Sequence, residues 1–129
     1  MNEAEAILII CAMLGGEPEA RHRHTIDAGY FDIIVDCETD TQVIEVGLDK
    51  RSSLDSVQQA DFAGWITGKS PMVLLVDTDA TEGRFEFRIR TAATRLGVTY
   101  ETISDEYLRR WQMTQHFRNI RAETLADYQ

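Results

Sequence analysis

Cysteine, proline and long apolar runs are all scarce in this chain of 129 residues, which has two cysteines and two prolines. Cys11 and Cys37 fall in apolar segments with no Cys-x-x-Cys or Cys/His spacing. They therefore read as buried thiols in a reducing compartment, and a zinc site is not indicated. The longest apolar run, from Ala6 to Leu14, is too short to cross a bilayer, and it follows Glu3 and Glu5 instead of a basic stretch. Neither a transmembrane helix nor a signal peptide is expected, which places the protein in the cytoplasm with no membrane partner. Internal repeats, low-complexity segments and interior linkers are missing too. The length suits one domain, residues 1–129, able to bury a core without staples.

Positive charge is also scarce, but unevenly so. The formal net charge is −9. Residues 1–83 carry 5 Lys/Arg against 16 Asp/Glu, a net of −11, whereas residues 84–129 carry 8 Arg against 6 Asp/Glu, a net of +2. The acidity argues against broad nucleic-acid affinity and suits a partner-binding or nucleic-acid-mimicking protein. The arginines of the second part suit bidentate phosphate contacts, or else surface ion pairs on an acidic protein.

The spacing predicts a helix from about Asn2, its N-cap, to Leu14, ended by Gly15-Gly16 and buried on most sides. After the turn Glu17-Pro-Glu, a short strand over Arg21–Ile26 alternates arginine and histidine. His22 and His24 could bind a metal, but a charged edge strand accounts for them more simply. Tyr30–Val35 and Gln42–Leu48 read as hairpin strands, and a helix follows from Ser52 or Ser53 to about Ile66, ending near Gly68. Its phase puts Gln58 and Asp61 on the face of Val57, Phe62 and Trp65.

Met72–Val76 has the look of a buried parallel strand. Asp77 and Asp79 at its end suggest either a metal site or, preferably, a capping box Asp79-x-x-Glu82. Arg84–Arg90 fits a strand or a helix, and the longer helical stripe through Leu96 favours the helix, with Arg84, Arg88 and Arg95 along one flank as a nucleic-acid-contacting edge. A strand over Val98–Ile103 and a final helix capped by Ser104, with Tyr107, Leu108 and Trp111 inward, complete the order αβββαβαβα. That order describes a three-layer α/β/α domain with a central mixed sheet.

Asp32 and Glu45 interrupt two apolar strands, where a buried charge needs a partner. The pattern Gly29-Tyr-Phe-Asp32-Ile-Ile-Val, a turn, Val43-Ile-Glu45-Val46, then Gln58-x-x-x-Phe62 on a helix resembles the PD-(D/E)XK nuclease superfamily, in particular its RecB-like and Holliday-junction-resolvase-like branches, of restriction-endonuclease-like fold. Ala4-Glu5 matches the glutamate that several members carry on the first helix. The resemblance covers roughly residues 4 to 77. It implies a nuclease of phage or mobile-element origin that hydrolyses DNA phosphodiester bonds, endo or exo, with Mg²⁺ or Mn²⁺ held by Asp32, Glu45 and the Val46 carbonyl. Glu5 would add an outer-sphere contact, and Gln58 would orient the attacking water or hold phosphate. A nuclease cutting both strands would most simply be a homodimer.

Gly47 stands where that pattern has its charge-stabilising lysine. Either Lys50 or Arg51 reaches back to supply the charge, with Arg51 also placed to meet DNA, or the fold serves as a DNA- or protein-binding module without chemistry. A further alternative is an acidic nucleic-acid mimic using Glu38, Asp40 and Asp55. On a purely structural reading, Asp32 and Glu45 pair with Arg21, Arg23 or Arg51, and Gln58 is a satisfied core amide.

Overall fold

The computed structural model describes residues 1–49 and 54–127. Its elements are α1 (Glu3–Leu14), β1 (Glu17–Ile26), β2 (Gly29–Glu38), β3 (Gln42–Leu48), α2 (Leu54–Thr67), β4 (Ser70–Asp77), α3 (Arg84–Leu96), β5 (Thr99–Ser104), α4 (Asp105–Met113) and α5 (Gln115–Ala126). The five strands form one sheet in the order β1-β2-β3-β4-β5. β2 runs antiparallel to β1 and β3, whereas β3, β4 and β5 are mutually parallel. The expected three-layer α/β/α arrangement with a mixed sheet is what forms, and the last helix divides in two at Thr114.

Alternation along β3 and β4 builds the two halves of the core. Ile44, Val46, Leu74 and Val76 point to one face, against Ile7, Ile10 and Cys11 of α1 and Leu108 of α4. Val73 and Leu75 point to the other, against Val57 and Ala60 of α2 and Ile89 and Ala93 of α3. A smaller cluster of Ala20, Val35, Val43 and Ala63 continues this second face under the β1–β2 hairpin.

Helix ends follow local chemistry. The Asn2 side chain accepts from the Glu5 N–H at 2.8 Å, and Gly15, with φ of 68°, closes α1 in the left-handed conformation that glycine takes without strain. Ser104 caps α4 by accepting from the Tyr107 N–H at 3.1 Å. Ser104→Ala is therefore expected to cost about 1 kcal/mol, read as a shift in denaturant midpoint without a change in slope. The Arg84–Arg90 stretch is helical, with Ile89 and Ala93 buried and Phe87 outside.

Several expectations are corrected. Cys11 and Cys37 are both buried, but they form a disulfide between α1 and β2 and are not free thiols. β1 begins at Glu17, so the Glu-Pro-Glu segment is strand and not a turn. Leu8 and Leu14 of α1 are exposed, as is Tyr107 of α4, whose inward side is carried by Leu108. The Ser52 or Ser53 cap lies outside the described residues. No described helix is long and apolar enough to cross a membrane.

Candidate functional site

The β2–β3 hairpin sets the site through its register. Cys37 faces Ile44 and Glu38 faces Val43, and there the ladder stops. One step further along, the Val46 N–H donates to Asp36 Oδ2 at 2.8 Å in place of a backbone carbonyl. Asp36 is thereby fixed beside Glu45, which is only 4% exposed. On β1, Glu19 takes a left-handed φ of 52° near this break and adds its charge to Asp36.

Two carboxylates at one buried point cannot both ionise cheaply. Burial, then the charge and hydrogen bond of Asp36, push Glu45 up to about 9, with Glu3 of α1 adding to the effect. Burial also raises Asp36, against the lowering influence of the Val46 N–H. At neutral pH the pair keeps a proton, shared between two acceptors.

Asp32 has a different environment. It faces Arg23 across the β1–β2 ladder and accepts from Arg23 Nε at 3.1 Å and from Arg21 Nη1 at 3.3 Å. The Arg23 hydrogen bond, followed by that of Arg21, holds its carboxyl below the usual range. The ion-pair reading of Asp32 is thus realised with both β1 arginines, while Glu45 is paired with a second acid.

Asp32 and Glu45 nonetheless meet at one cavity of about 340 Å³ between β2 and α2, walled by Ile33, Ile34, Gln59, Phe62 and Ala63. Gln59 supplies the amide there. Gln58 and Asp61 are exposed, because α2 buries Val57, as expected, together with Ala60 and Ala63 and not with Phe62 and Trp65. Trp65 is likewise outward, 70% exposed. Glu5 is exposed and engaged with Asn2, so Glu3 is the α1 carboxylate felt at Glu45. Gly47 is buried opposite Leu75 of β4. Lys50 and Arg51 lie outside the described residues. Arg84, Arg88 and Arg95 are exposed on α3.

A second group of acids lies where the parallel strands β3 and β4 end. Asp49, Asp77, Asp79 and Glu86 bring oxygens within 4.8 Å of one another, and Asp49 and Glu86 are buried. Such an all-oxygen set could hold a hard metal ion. Each carboxylate also has a bond within the fold. Thr78 donates its N–H to Asp49 at 2.6 Å, the Ala80 N–H reaches Asp77 at 3.0 Å, and the Thr81 N–H reaches Asp79 at 3.0 Å. The fourth, Glu86, accepts from the Gly83 N–H at 2.9 Å and is raised by burial together with the three neighbouring acids. This Gly83–Glu86 bond caps α3, in place of the expected Asp79–Glu82 box, and Glu82 instead grips Arg90 through two bonds of 2.9 Å.

Sequence reasoning missed Asp36, Gln59, Asp49 and Glu86. For Asp36 a signal existed. The loop after Glu38 fixes the hairpin register, and counting back from it sets Asp36 across from Glu45. No protein-family model, curated protein or solved structure matches the chain.

Proposed function

We propose that this protein is a metal-dependent nuclease acting on DNA phosphodiester bonds, with the cavity of Asp32 and Glu45 as its reaction site. The observation that carries the reading is their convergence. Carboxylates from two strands of one hairpin line a single cavity with an amide and an aromatic ring of α2, in the element order that the nuclease resemblance implies. The buried Asp36–Glu45 pair also fits a cation, because a site that must hold a proton to offset two adjacent acids can exchange that proton for metal charge. A bound Mg²⁺ or Mn²⁺ would supply Lewis-acid stabilisation of the phosphorane-like transition state and an activated water.

In this reading Asp32, Glu45 and the Val46 carbonyl would hold the ion, and the proton shared by Glu45 and Asp36 would leave as the cation takes its place. Gln59 takes the orienting role first assigned to Gln58. Arg21 and Arg23, released in part from Asp32, are placed to meet a phosphate, and the exposed Arg84, Arg88 and Arg95 of α3 provide a further contact edge. A cytoplasmic site of action, a phage or mobile-element origin and a two-fold dimer for double-strand cleavage belong to the same proposal.

Purified protein incubated with linear, nicked and branched DNA plus Mg²⁺ or Mn²⁺ should cleave at least one form, and Asp32→Ala or Glu45→Ala should lower the rate by about a hundredfold or more. Cleavage that survives both substitutions would remove the assignment.

A second reading, a DNA- or protein-binding module without chemistry, is favoured by Gly47 at the lysine position and by the two arginines already neutralising Asp32. It predicts binding with no metal-dependent turnover. The acidic-mimic alternative loses one of its surface charges, since Glu38 is held by His22 at 2.6 Å and Lys69 at 3.2 Å.

A further inference from the structure

The first and last helices each leave an apolar face without cover. From Ala6 to Leu14 every residue of α1 is apolar, a composition that suits a helix enclosed on all sides. Packing against the sheet and α4 buries Ile7, Ile10 and Cys11, yet the outer side stays open, with Leu8 60% exposed between the exposed small residues Ala4 and Ala12. Glu5 shares this stripe by its spacing from Leu8 and Ala12. No residue of α5 is buried. Its Phe117, Ile120 and Leu125 are exposed and fall on one side of the helix, with Arg121 among them.

α5 cannot double back to cover the α1 of its own chain. Thr114 alone separates it from α4, which already sits against α1 through Leu108. The Thr114 N–H donates to the Arg110 carbonyl at 3.2 Å and the Thr114 carbonyl accepts from the Arg118 N–H at 3.2 Å, so helical bonding runs up to this residue from both sides. A helix hairpin needs a loop of about two to five residues. Arg118 fixes the junction further, its guanidinium lying 3.5 Å from the centre of the Trp111 ring and donating to the Trp111 carbonyl at 2.5 Å. α5 is thus held as an arm about 18 Å long with its apolar side in water, a cost that something must offset.

The two faces complement each other in shape and in charge. On α1, small residues flank one leucine and let a second helix come close, and on α5 large side chains are there to fill that surface. Residues 1–20 carry four glutamates and no lysine or arginine, whereas α5 carries Arg118 and Arg121 against Glu123 alone. We propose that the chain forms a two-fold dimer in which α5 of each copy lies along the outer face of α1 of the other, with Arg121 meeting Glu5. Because the two patches differ, a single such contact would start an open file of molecules. The two-fold makes the contact twice, closes the assembly and doubles the buried area toward the ~1,200 Å² of a specific interface. The nuclease reading needs a dimer only to cut both strands, whereas this interface stands without turnover.

Sedimentation equilibrium of the full chain should give a species of twice 14.7 kDa at about 0.1 mM protein. Leu8→Glu and Ile120→Glu, both at exposed positions, should each raise the dimer dissociation constant at least about tenfold with an unchanged circular dichroism spectrum. An equimolar mixture of these two variants should associate more tightly than either alone, because an unaltered α5 then meets an unaltered α1. Arg121→Glu should weaken the dimer, and adding Glu5→Arg to it should restore association. A monomer at that concentration, polymers beyond the dimer, or a dimer indifferent to Leu8→Glu and Ile120→Glu overturns the proposal, as does a mixture or a double variant no better associated than its parts. If the chain is monomeric while metal-dependent cleavage is still lost on Glu45→Ala, the nuclease reading stands and this one falls. A dimer of this kind that never cleaves gives the reverse result.

Discussion

Replacing Glu45 by glutamine is expected to stabilise the protein by about 2–4 kcal/mol at pH 8 and to leave it nearly unchanged at pH 5. The folded protein holds Glu45 up to about 9 through burial and the adjacent Asp36, while an unfolded chain lets the same carboxyl ionise near its ordinary 4.5. Between those two values the folded state binds a proton that the unfolded state has released. Stability therefore falls as pH rises, by up to about 1.4 kcal/mol per pH unit, and the loss is complete only once pH passes the folded value. Sharing with Asp36 spreads this over the pair and makes the single-site slope a ceiling. Glutamine has no proton to lose, fills nearly the same volume and can still donate to Asp36.

Other groups do not obscure the difference. Asp32, Glu38 and Glu82 are held low by their basic partners, so they add stability that is lost only in acid, below the window of the experiment. Glu86 shifts in the same direction as Glu45 but is unaltered by the substitution. Urea melts of both proteins at pH 5 and pH 8 decide it, and parallel pH profiles would mean that Glu45 is ionised in the folded state.

The layers of this fold are legible in the chain because they depend on local signals. Asn2 and Ser104 cap, Gly15 and Gly97 terminate, and the β-branched runs of β3 and β4 alternate as a sheet covered on both faces must. The site is less legible because it depends on phase and register. In α2 the bulky Phe62 and Trp65 draw the eye to one side of the helix, but small Ala60 and Ala63 let it sit close on the sheet, and this leaves both glutamines exposed, with Gln59 and not Gln58 at the cavity wall. At β2, Asp32 stands out as a charge inside an apolar run. Asp36 looks like the polar end of that run until the hairpin register sets it against Glu45. Asp49, Asp77, Asp79 and Glu86 come from three separate stretches and are joined only by the parallel pairing of β3 with β4 and the start of α3.

Removing the Cys11–Cys37 bond, by the double substitution Cys11→Ala/Cys37→Ala, is expected to cost about 3–4 kcal/mol. The two sulfurs close a loop with a sequence separation of 26, and opening it returns that much loop-closure entropy to the unfolded chain. The folded chain is built around the bond. A Cβ on Gly16 would come within 2.8 Å of the Cys37 sulfur and of the Glu38 carbonyl oxygen, and within 3.0 Å of the Cys11 sulfur, so only glycine lets the end of α1 lie across the bridge. Cys37 is also the residue next to Asp36, and it sits at the last regular β2–β3 pairs before Asp36 takes over the Val46 N–H. The link that anchors β2 to α1 thus helps hold one half of the carboxylate pair in place. In a reducing compartment thiols are favoured over disulfides, so a cytoplasmic protein would carry this penalty unless burial shields the bridge from reductant. Denaturant melts without reductant should show the double-alanine variant unfolding at a clearly lower midpoint, and wild type refolded in dithiothreitol should approach it. Coincident melts for variant and oxidised wild type would mean that the two sulfurs are not bonded in the folded protein.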